Sequence, residues 1–435
     1  YQNLLDATKL IDENLKLGDN ETDRRMKVAL DQAHPSRATR EKAIESLEQM
    51  VARQGQKAPG DVLGLAQLYL AAGNWEKARP LLQDLVTDHP SELRYLASLI
   101  EAMVKHGEDA DAQPYLDKLV AAAPNNLGTV SLQAEALFRK GEHQQVLDLL
   151  NEFIDRSGAE PEDRSLRLRV VAGVMEQFIP RLREAGETAM ARQFTDAAEA
   201  LYRRYVQALP EHELLLAAFL ARQGRTAEAV DMLERRWSSL DQASLAQMAI
   251  LLLKSDAATE SHVERTERII ARALEQNPDS VPIHLLLANW RTEQERYAEA
   301  EKHYRAVLRV HPDHAIALNN LAVLLALQGV KLEEAAQMVN RAIKNAGPIA
   351  SLLDSRATIY KARGEYDKAL VDIDKAIAED ASPVWLFHRA QILFRAGKKQ
   401  GAAQSLAKAR AQGLTSEMLQ PLERAEYEKL QRSLQ

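Results

Sequence analysis

Apolar and small residues recur at helical spacing along most of the chain, and one pattern is written three times in residues 281–382. In each copy a small residue is followed seven positions later by a turn residue, and a second small residue follows the turn. Two helices cross closely only where side chains are small, and glycine ends a helix by adopting a positive φ. The pattern therefore predicts three helical hairpins. The positions that define them are Ala288, Glu295 and Ala300; Ala322, Gly329 and Ala335; and Ala357, Gly364 and Ala369.

The same pattern occurs earlier, in residues 57–158. The turn glycines Gly73, Gly107 and Gly141 follow one another at a constant interval of 34 residues. A chain without repeats rarely keeps one interval over two periods. Residues 57–158 are therefore predicted to form three stacked hairpins, each burying its apolar face against a neighbour.

Tyrosine and proline add detail to the pattern. Tyr297 and Tyr366 lie two residues beyond their turns, and Pro312 and Pro348 close two copies. With a period of about 34 residues, these segments resemble the tetratricopeptide repeat (TPR). The resemblance implies an all-α, right-handed superhelical solenoid, here of about eleven hairpins with a C-terminal capping helix. Residues 318–430 also resemble the C-terminal part of large bacterial TPR proteins.

The rest of the chain is less regular. Residues 1–17 read as the second helix of a hairpin, so we expect the natural protein to continue upstream. Ser36 is the expected N-cap between the weakly repeated helices 23–33 and 37–54. A polar linker, 159–163, precedes two long apolar helices. The predicted segments are N-terminal helices with a degenerate repeat, 1–56; three regular repeats, 57–158; an atypical long hairpin, 159–210; two divergent repeats, 211–280; four repeats, 281–412; and the capping helix, 413–435.

Composition narrows the possible partners. The chain has 435 residues, a net charge of −7 and no cysteine. Nucleic-acid binding needs a basic face, so the charge favours a protein or peptide partner over nucleic acid. The absence of cysteine excludes thiolate metal sites from the whole sequence. No apolar run reaches the roughly 20 residues of a membrane span. Cellular compartment and oligomeric state stay open.

Candidate chemistry is sparse. The sequence contains no phosphate-binding loop, no HExxH motif and no GxSxG motif. His303, His311 and His314 form the densest histidine cluster, but a zinc site needs further ligands in a tetrahedral arrangement. We interpret them as loop and turn residues, and expect no catalytic residue, cofactor or metal.

The best candidate site is the inner surface. First helices of TPR hairpins line a concave groove, and such grooves bind extended peptides or partner helices. Asparagine suits varied peptide backbones because its amide both donates and accepts. Phe387 and Phe394, seven residues apart, either anchor a partner or pack against the terminal helix through Leu422 or Tyr427. The candidate residues are Asn289, Asn319, Asn320, Asp354, Thr358, Phe387, Gln391 and Phe394.

One specialisation of the family grips a terminal carboxylate with two asparagines and several basic residues. Asn289 and Asn320 lie where those asparagines would be, but Leu285, Ser351 and Ser355 occupy the basic positions. A carboxylate needs charge-assisted donors, so we do not expect this clamp. The favoured interpretation is a non-catalytic scaffold that binds a peptide or partner protein. The alternative is the substrate-recruiting or regulatory region of a larger enzyme with an upstream catalytic domain.

Overall fold

The computed structural model describes residues 2–18, 20–34, 37–53, 58–155, 161–379 and 381–434. Over these residues the regular structure consists of 24 α-helices and three short 3-10 turns, and no strand occurs. No helix of the described chain is both long and apolar enough to cross a membrane. The predicted all-α class is therefore confirmed.

The helices follow one another with short connections. The first twelve are α1 (Gln2–Leu17), α2 (Glu21–Gln32), α3 (Arg37–Arg53), α4 (Pro59–Ala71), α5 (Trp75–Asp88), α6 (Leu93–Lys105), α7 (Asp109–Ala122), α8 (Leu127–Arg139), α9 (His143–Asp155), α10 (Pro161–Glu184), α11 (Thr188–Ala208) and α12 (Glu213–Arg222). The others are α13 (Thr226–Arg236), α14 (Gln242–Leu253), α15 (Glu260–Gln276), α16 (Val281–Glu293), α17 (Tyr297–Val310), α18 (Ala315–Leu327), α19 (Leu332–Ala346), α20 (Ala350–Ala362), α21 (Tyr366–Glu379), α22 (Pro383–Arg395), α23 (Lys399–Ala411) and α24 (Pro421–Leu434).

The chain divides into two compact units. Unit 1 comprises residues 1–43, 241–246 and 270–435, and unit 2 comprises residues 44–240 and 247–269. The six segments predicted from the sequence stay a prediction.

Unit 2 contains the earlier hairpins. Among its described residues, α4 packs on α5, α6 on α7, α8 on α9, α10 on α11 and α12 on α13. The turn glycines at 73, 107 and 141 all have positive φ, as the repeat pattern requires. The two long helices predicted near residues 164–209 are present, with 24 residues in α10 and 21 in α11.

Unit 1 contains the later hairpins, in which α16 to α23 pair consecutively. Ala288, Ala322 and Ala357 have no exposed surface, in agreement with the small-residue pattern. Glu295, in the turn where the other copies have glycine, adopts φ 59°. That left-handed conformation costs a residue with a Cβ atom roughly 1–2 kcal/mol. The hairpin of α16 and α17 therefore keeps the same turn conformation without glycine, at this cost in energy.

The N-terminal helices differ from the expectation. Helix α1 packs against α2, a pairing that the sequence did not predict. Within unit 1, α1 also contacts α19, and the amide N–H of Arg37, the first residue of α3, donates to the Glu379 carboxylate. The N-cap predicted at Ser36 lies outside the described residues. The predicted linker 159–163 is partly wrong, since α10 already begins at residue 161.

Candidate protein-binding face

Successive first helices of unit 1 are joined by side chains at the predicted face. Asn320 Nδ2 donates to Asn289 Oδ1 at 3.3 Å, linking α18 to α16. His388 Nδ1 lies 2.6 Å from Asp354 Oδ1, linking α22 to α20. We call the surface that these first helices present the first-helix face.

One half of this face is open. Asn289 is exposed, while Asn319 and Asn320 are half-buried. The Tyr304 hydroxyl donates to Asn289 Oδ1 at 2.6 Å, and this hydrogen bond fixes the orientation of the Asn289 amide. Asn319 Nδ2 donates to Asn320 Oδ1 at 3.3 Å, whereas Asn319 Oδ1 is shielded and has no hydrogen-bond partner among the described residues. The three asparagine amides therefore form one connected polar strip on the open half of the first-helix face. We call it the open asparagine strip.

The other half is covered by the C-terminal helix α24. Phe387 has no exposed surface and packs against Tyr427, with ring centroids 5.3 Å apart. Phe394 is half-buried against the same apolar cluster, which also contains Leu430. At the other end of α24, Leu422 packs against the core of the preceding hairpins. The helix thus rests on the array through apolar side chains along its length.

A buried ion cluster fixes the N-terminal end of α24. His388 Nε2 lies 2.9 Å from Glu423 Oε1, opposite the Asp354 contact at Nδ1. Burial alone would lower the pKa of His388, but pairing with Asp354 and Glu423 outweighs burial and raises it to about 10. Burial would raise the pKa of Glu423, and the charge of His388 outweighs that effect and lowers it. The imidazole is therefore cationic between two carboxylates at neutral pH.

This arrangement is unsuited to a metal ion. Its two carboxylates meet opposite nitrogens of one imidazole ring, so they do not converge on a common point. Over the described residues no group of three or more potential ligands is placed to hold a metal.

A second polar contact lies one helical turn further along α24. Lys361 Nζ donates to Gln391 Oε1 at 2.6 Å, and Gln391 Nε2 donates to Glu426 Oε2 at 3.0 Å. Arg395 also pairs with Glu426, at 3.0 Å. The side chain of Lys361 is only 9% exposed, and its Nζ lies 3.8 Å from Glu426 Oε2. We call the surface beneath α24, formed by Asp354, Lys361, Phe387, His388, Gln391 and Arg395, the α24 groove.

These contacts correct part of the predicted site. Thr358, Phe387 and Gln391 are 3%, 0% and 1% exposed, so the expectation that they face an open groove is wrong. Phe387 packs against Tyr427 of the terminal helix, which is the second of the two roles that the sequence left open for it. Asp354 is partly shielded by its ion pair. Of the eight predicted residues, the three asparagines lie on the open half.

Sequence reasoning missed His388, Lys361 and Glu423. Their signal was available but indirect, because apolar residues stand at helical spacing from them, such as Val384 and Ile392 around His388 and Tyr427 after Glu423. Charged residues in such positions are rarely buried unless they are paired. A search for the missing counter-charges would have led to the acidic face of α24.

The histidines that lie close together in the sequence, His303 and His314 among them, have separate partners in the structure. His303 Nδ1 lies 3.0 Å from Nδ1 of His284, and His284 Nε2 donates to the Pro278 carbonyl oxygen at 2.8 Å. Burial, followed by the neighbouring His284, lowers the pKa of His303 to about 4. His314 instead caps α18, its Nδ1 accepting from the Ala317 N–H at 3.3 Å. These histidines therefore have structural roles.

Comparison with known proteins agrees with the hairpin architecture. Residues 63–127, 285–348 and 355–414 match the family model of the tetratricopeptide repeat. These segments cover α4–α7 and α16–α23 almost completely. These three segments are therefore tetratricopeptide repeats, and such repeats generally mediate protein–protein interaction.

Individual relatives are distant. Over 181 residues the chain is 26% identical to a TPR repeat-containing protein of Pseudomonas aeruginosa, an alignment that covers 40% of this chain and 30% of that protein. The chain thus spans less than a third of that relative's length. A TPR protein of Parabacteroides merdae gives a TM-score of 0.41 at 20% identity, over 59% of this chain and 99% of that chain. A TPR protein of Thermus thermophilus gives 0.35 at 20% identity, over 44% and 100%.

Proposed function

We propose that the chain is a non-catalytic scaffold that binds a partner protein or peptide on the first-helix face of residues 281–412. The observation that carries the proposal is the packing of α24 on this face. This 14-residue helix is held there by apolar, aromatic and ionic contacts. A surface that holds one amphipathic helix in this way has the shape and polar groups for helix recognition.

The open asparagine strip supports binding next to the α24 groove. Asn289 and Asn320 present amides that are already held in place by Tyr304 and by each other. Polar groups fixed before binding lose little side-chain entropy when a partner arrives. A peptide that crosses this strip would find both donors and acceptors for its backbone.

Site-specific photocrosslinking tests the proposal. The full chain carries the photoreactive residue benzoylphenylalanine at position 289. It is irradiated in an extract of cells that naturally express this protein. Position 371 is the matched control, because Val371 is 55% exposed and lies on the second helix α21. We expect the variant labelled at position 289 to form one or a few discrete protein adducts. The variant labelled at position 371 should form none of these adducts.

Three outcomes would contradict the proposal. Identical adducts at both positions would show non-specific contact. Adducts at position 371 alone would place binding on the second helices. The lack of protein adducts at either position, with both variants folded, would argue against a scaffold role for this face.

A further inference from the structure

The contacts of α24 follow a spacing that another helix can reproduce. Glu423, Glu426 and Tyr427 occupy positions i, i+3 and i+4, with Leu422 just before them and Leu430 at i+7. Positions with these spacings share one face of a helix. The recognised element is therefore a single helical stripe with two carboxylates, one aromatic ring and flanking leucines.

The α24 groove is complementary to this stripe in charge. His388, Lys361 and Arg395 are cationic, and Asp354 provides one carboxylate. Glu423 and Glu426 of α24 bring the two carboxylates that balance the remaining charge. Without α24, His388 loses its contact with Glu423, and Lys361 and Arg395 lose theirs with Glu426, so positive charge in the groove is left unbalanced. The groove therefore favours an acidic helix over a neutral or basic one.

The aromatic contact adds selectivity of shape. Phe387 forms the floor, and the Tyr427 ring stands at 90° to it. An edge-to-face pair needs a planar ring at one defined position of the incoming helix. A helix with carboxylates at the correct spacing but an aliphatic residue at i+4 would lose this contact.

We propose that the α24 groove is an exchangeable docking site, and that an acidic amphipathic helix of a partner protein displaces α24 from it. This inference rests on the proposed scaffold function. Helix α24 is attached to α23 only through residues 412–420, so it can leave without breaking a helix. Its tethering makes it a competitor with an effective concentration of roughly millimolar order. A partner must therefore match the stripe well in order to bind.

A peptide-exchange assay on the full chain tests the inference. The probe is a fluorescein-labelled peptide with the sequence of residues 414–434, followed by fluorescence anisotropy. A release variant, Glu423→Lys with Tyr427→Ala, weakens only the attached helix. We expect the peptide to bind this variant at least about tenfold more tightly than the wild-type chain, because the tethered competitor has gone.

Two controls isolate the stripe. The variant Glu428→Lys changes a side chain of α24 that is 68% exposed, and it should bind the peptide as weakly as the wild-type chain does. A peptide carrying Lys at positions 423 and 426 should bind the release variant at least about tenfold more weakly, because like charges then oppose each other in the groove.

Several results would overturn the inference. One is equal binding of the peptide to the wild-type chain and to the release variant; another is equal binding of the two peptides. Loss of hydrogen-exchange protection in α20 and α22 of the release variant would show that α24 is a fixed part of the core. Concentration-dependent dimerisation of the wild-type chain through exchanged α24 would identify a second copy as the occupant.

The two tests fail separately. Crosslinking at position 289 without peptide binding would overturn only the exchange of α24. Peptide binding without any crosslinked partner would overturn the proposed use of the open asparagine strip.

Discussion

Tyr427 and Phe387 stand at right angles, with their ring centroids 5.3 Å apart. Phe387 is fully buried, and Tyr427 is the aromatic residue of the last helix that reaches it. Aromatic pairs of this geometry contribute about 0.5–1.5 kcal/mol beyond the area that they bury. The pair therefore connects α24 to α22 more firmly than the flanking leucines alone would.

Replacing this ring should loosen α24 selectively. We expect Tyr427→Leu to lower the local free energy of opening of α24 by about 0.5–1.5 kcal/mol, because the aromatic pair is lost and most apolar burial is kept. Hydrogen exchange of residues 421–434 measures the change. Met418→Leu is the control, since Met418 is 49% exposed, and it should have no effect. Equal loosening by both variants would refute the assigned role.

The ion cluster predicts that docking of α24 depends on pH in opposite directions at the two ends of the scale. The pKa of His388 is raised from 6.5 to about 10, so its stabilisation is complete below pH 6.5 and is lost as the pH rises through 10. The pKa of Glu423 is lowered from 4.5, so its stabilisation is present above pH 4.5 and is lost as the pH falls through the lowered value.

Protection of α24 should consequently be greatest between about pH 4.5 and 6.5 in hydrogen exchange corrected for the intrinsic rate. His388→Gln should abolish the decline on the alkaline side. A decline that persists unchanged in this variant would assign it to another group.

The turn glycines should be sensitive to a methyl group because of φ alone. Gly364 has φ 76°, and a Cβ atom placed there would meet no atom within 4 Å. We expect Gly364→Ala to lower the free energy of unfolding by about 1–2 kcal/mol, the cost of the left-handed conformation. The matched variant Gly60→Ala lies within α4 and also meets no neighbour, and it should be stabilising or neutral. Denaturant unfolding distinguishes the two signs.

The alanine positions should resist enlargement. Ala322 has no exposed surface, so Ala322→Trp should overpack its hairpin and cost about 1–3 kcal/mol or more. Faster hydrogen exchange should be confined near residues 315–346, because repeats contact mainly their neighbours. Ala298→Trp, at an exposed position of α17, is the control and should have little effect. Uniform loosening over the whole chain would contradict a repeat architecture.

The hairpins were predictable because their signals are local. A small residue such as Ala322 and a turn glycine seven positions later act within one hairpin, so a single sequence reveals both. The pattern even identified the turn at Glu295, where glycine is absent but φ is positive.

Contacts distant in the sequence were not predictable in the same way. Gln391 was expected to face an open groove because it follows the small packing residue Ala390, yet it is buried between Lys361 and Glu426, which are 30 and 35 residues away. Nothing in the local spacing specifies which face a terminal helix will cover. The pairing of α1 with α2 was missed for a related reason: the first residues lack the glycine and alanine signals of the regular repeats.

The amide of Gln391 gives the α24 groove a direction. Lys361 can only donate a hydrogen bond and the Glu426 carboxylate only accepts, so the amide has one orientation between them. Leu422 points towards the hairpins of α16 to α19, while Leu430 lies in the cluster of α22 and α23. A helix inserted with its ends exchanged would place its carboxylates away from both cations at once. The groove therefore distinguishes a helix from the same helix running backwards, as well as acidic sequences from others.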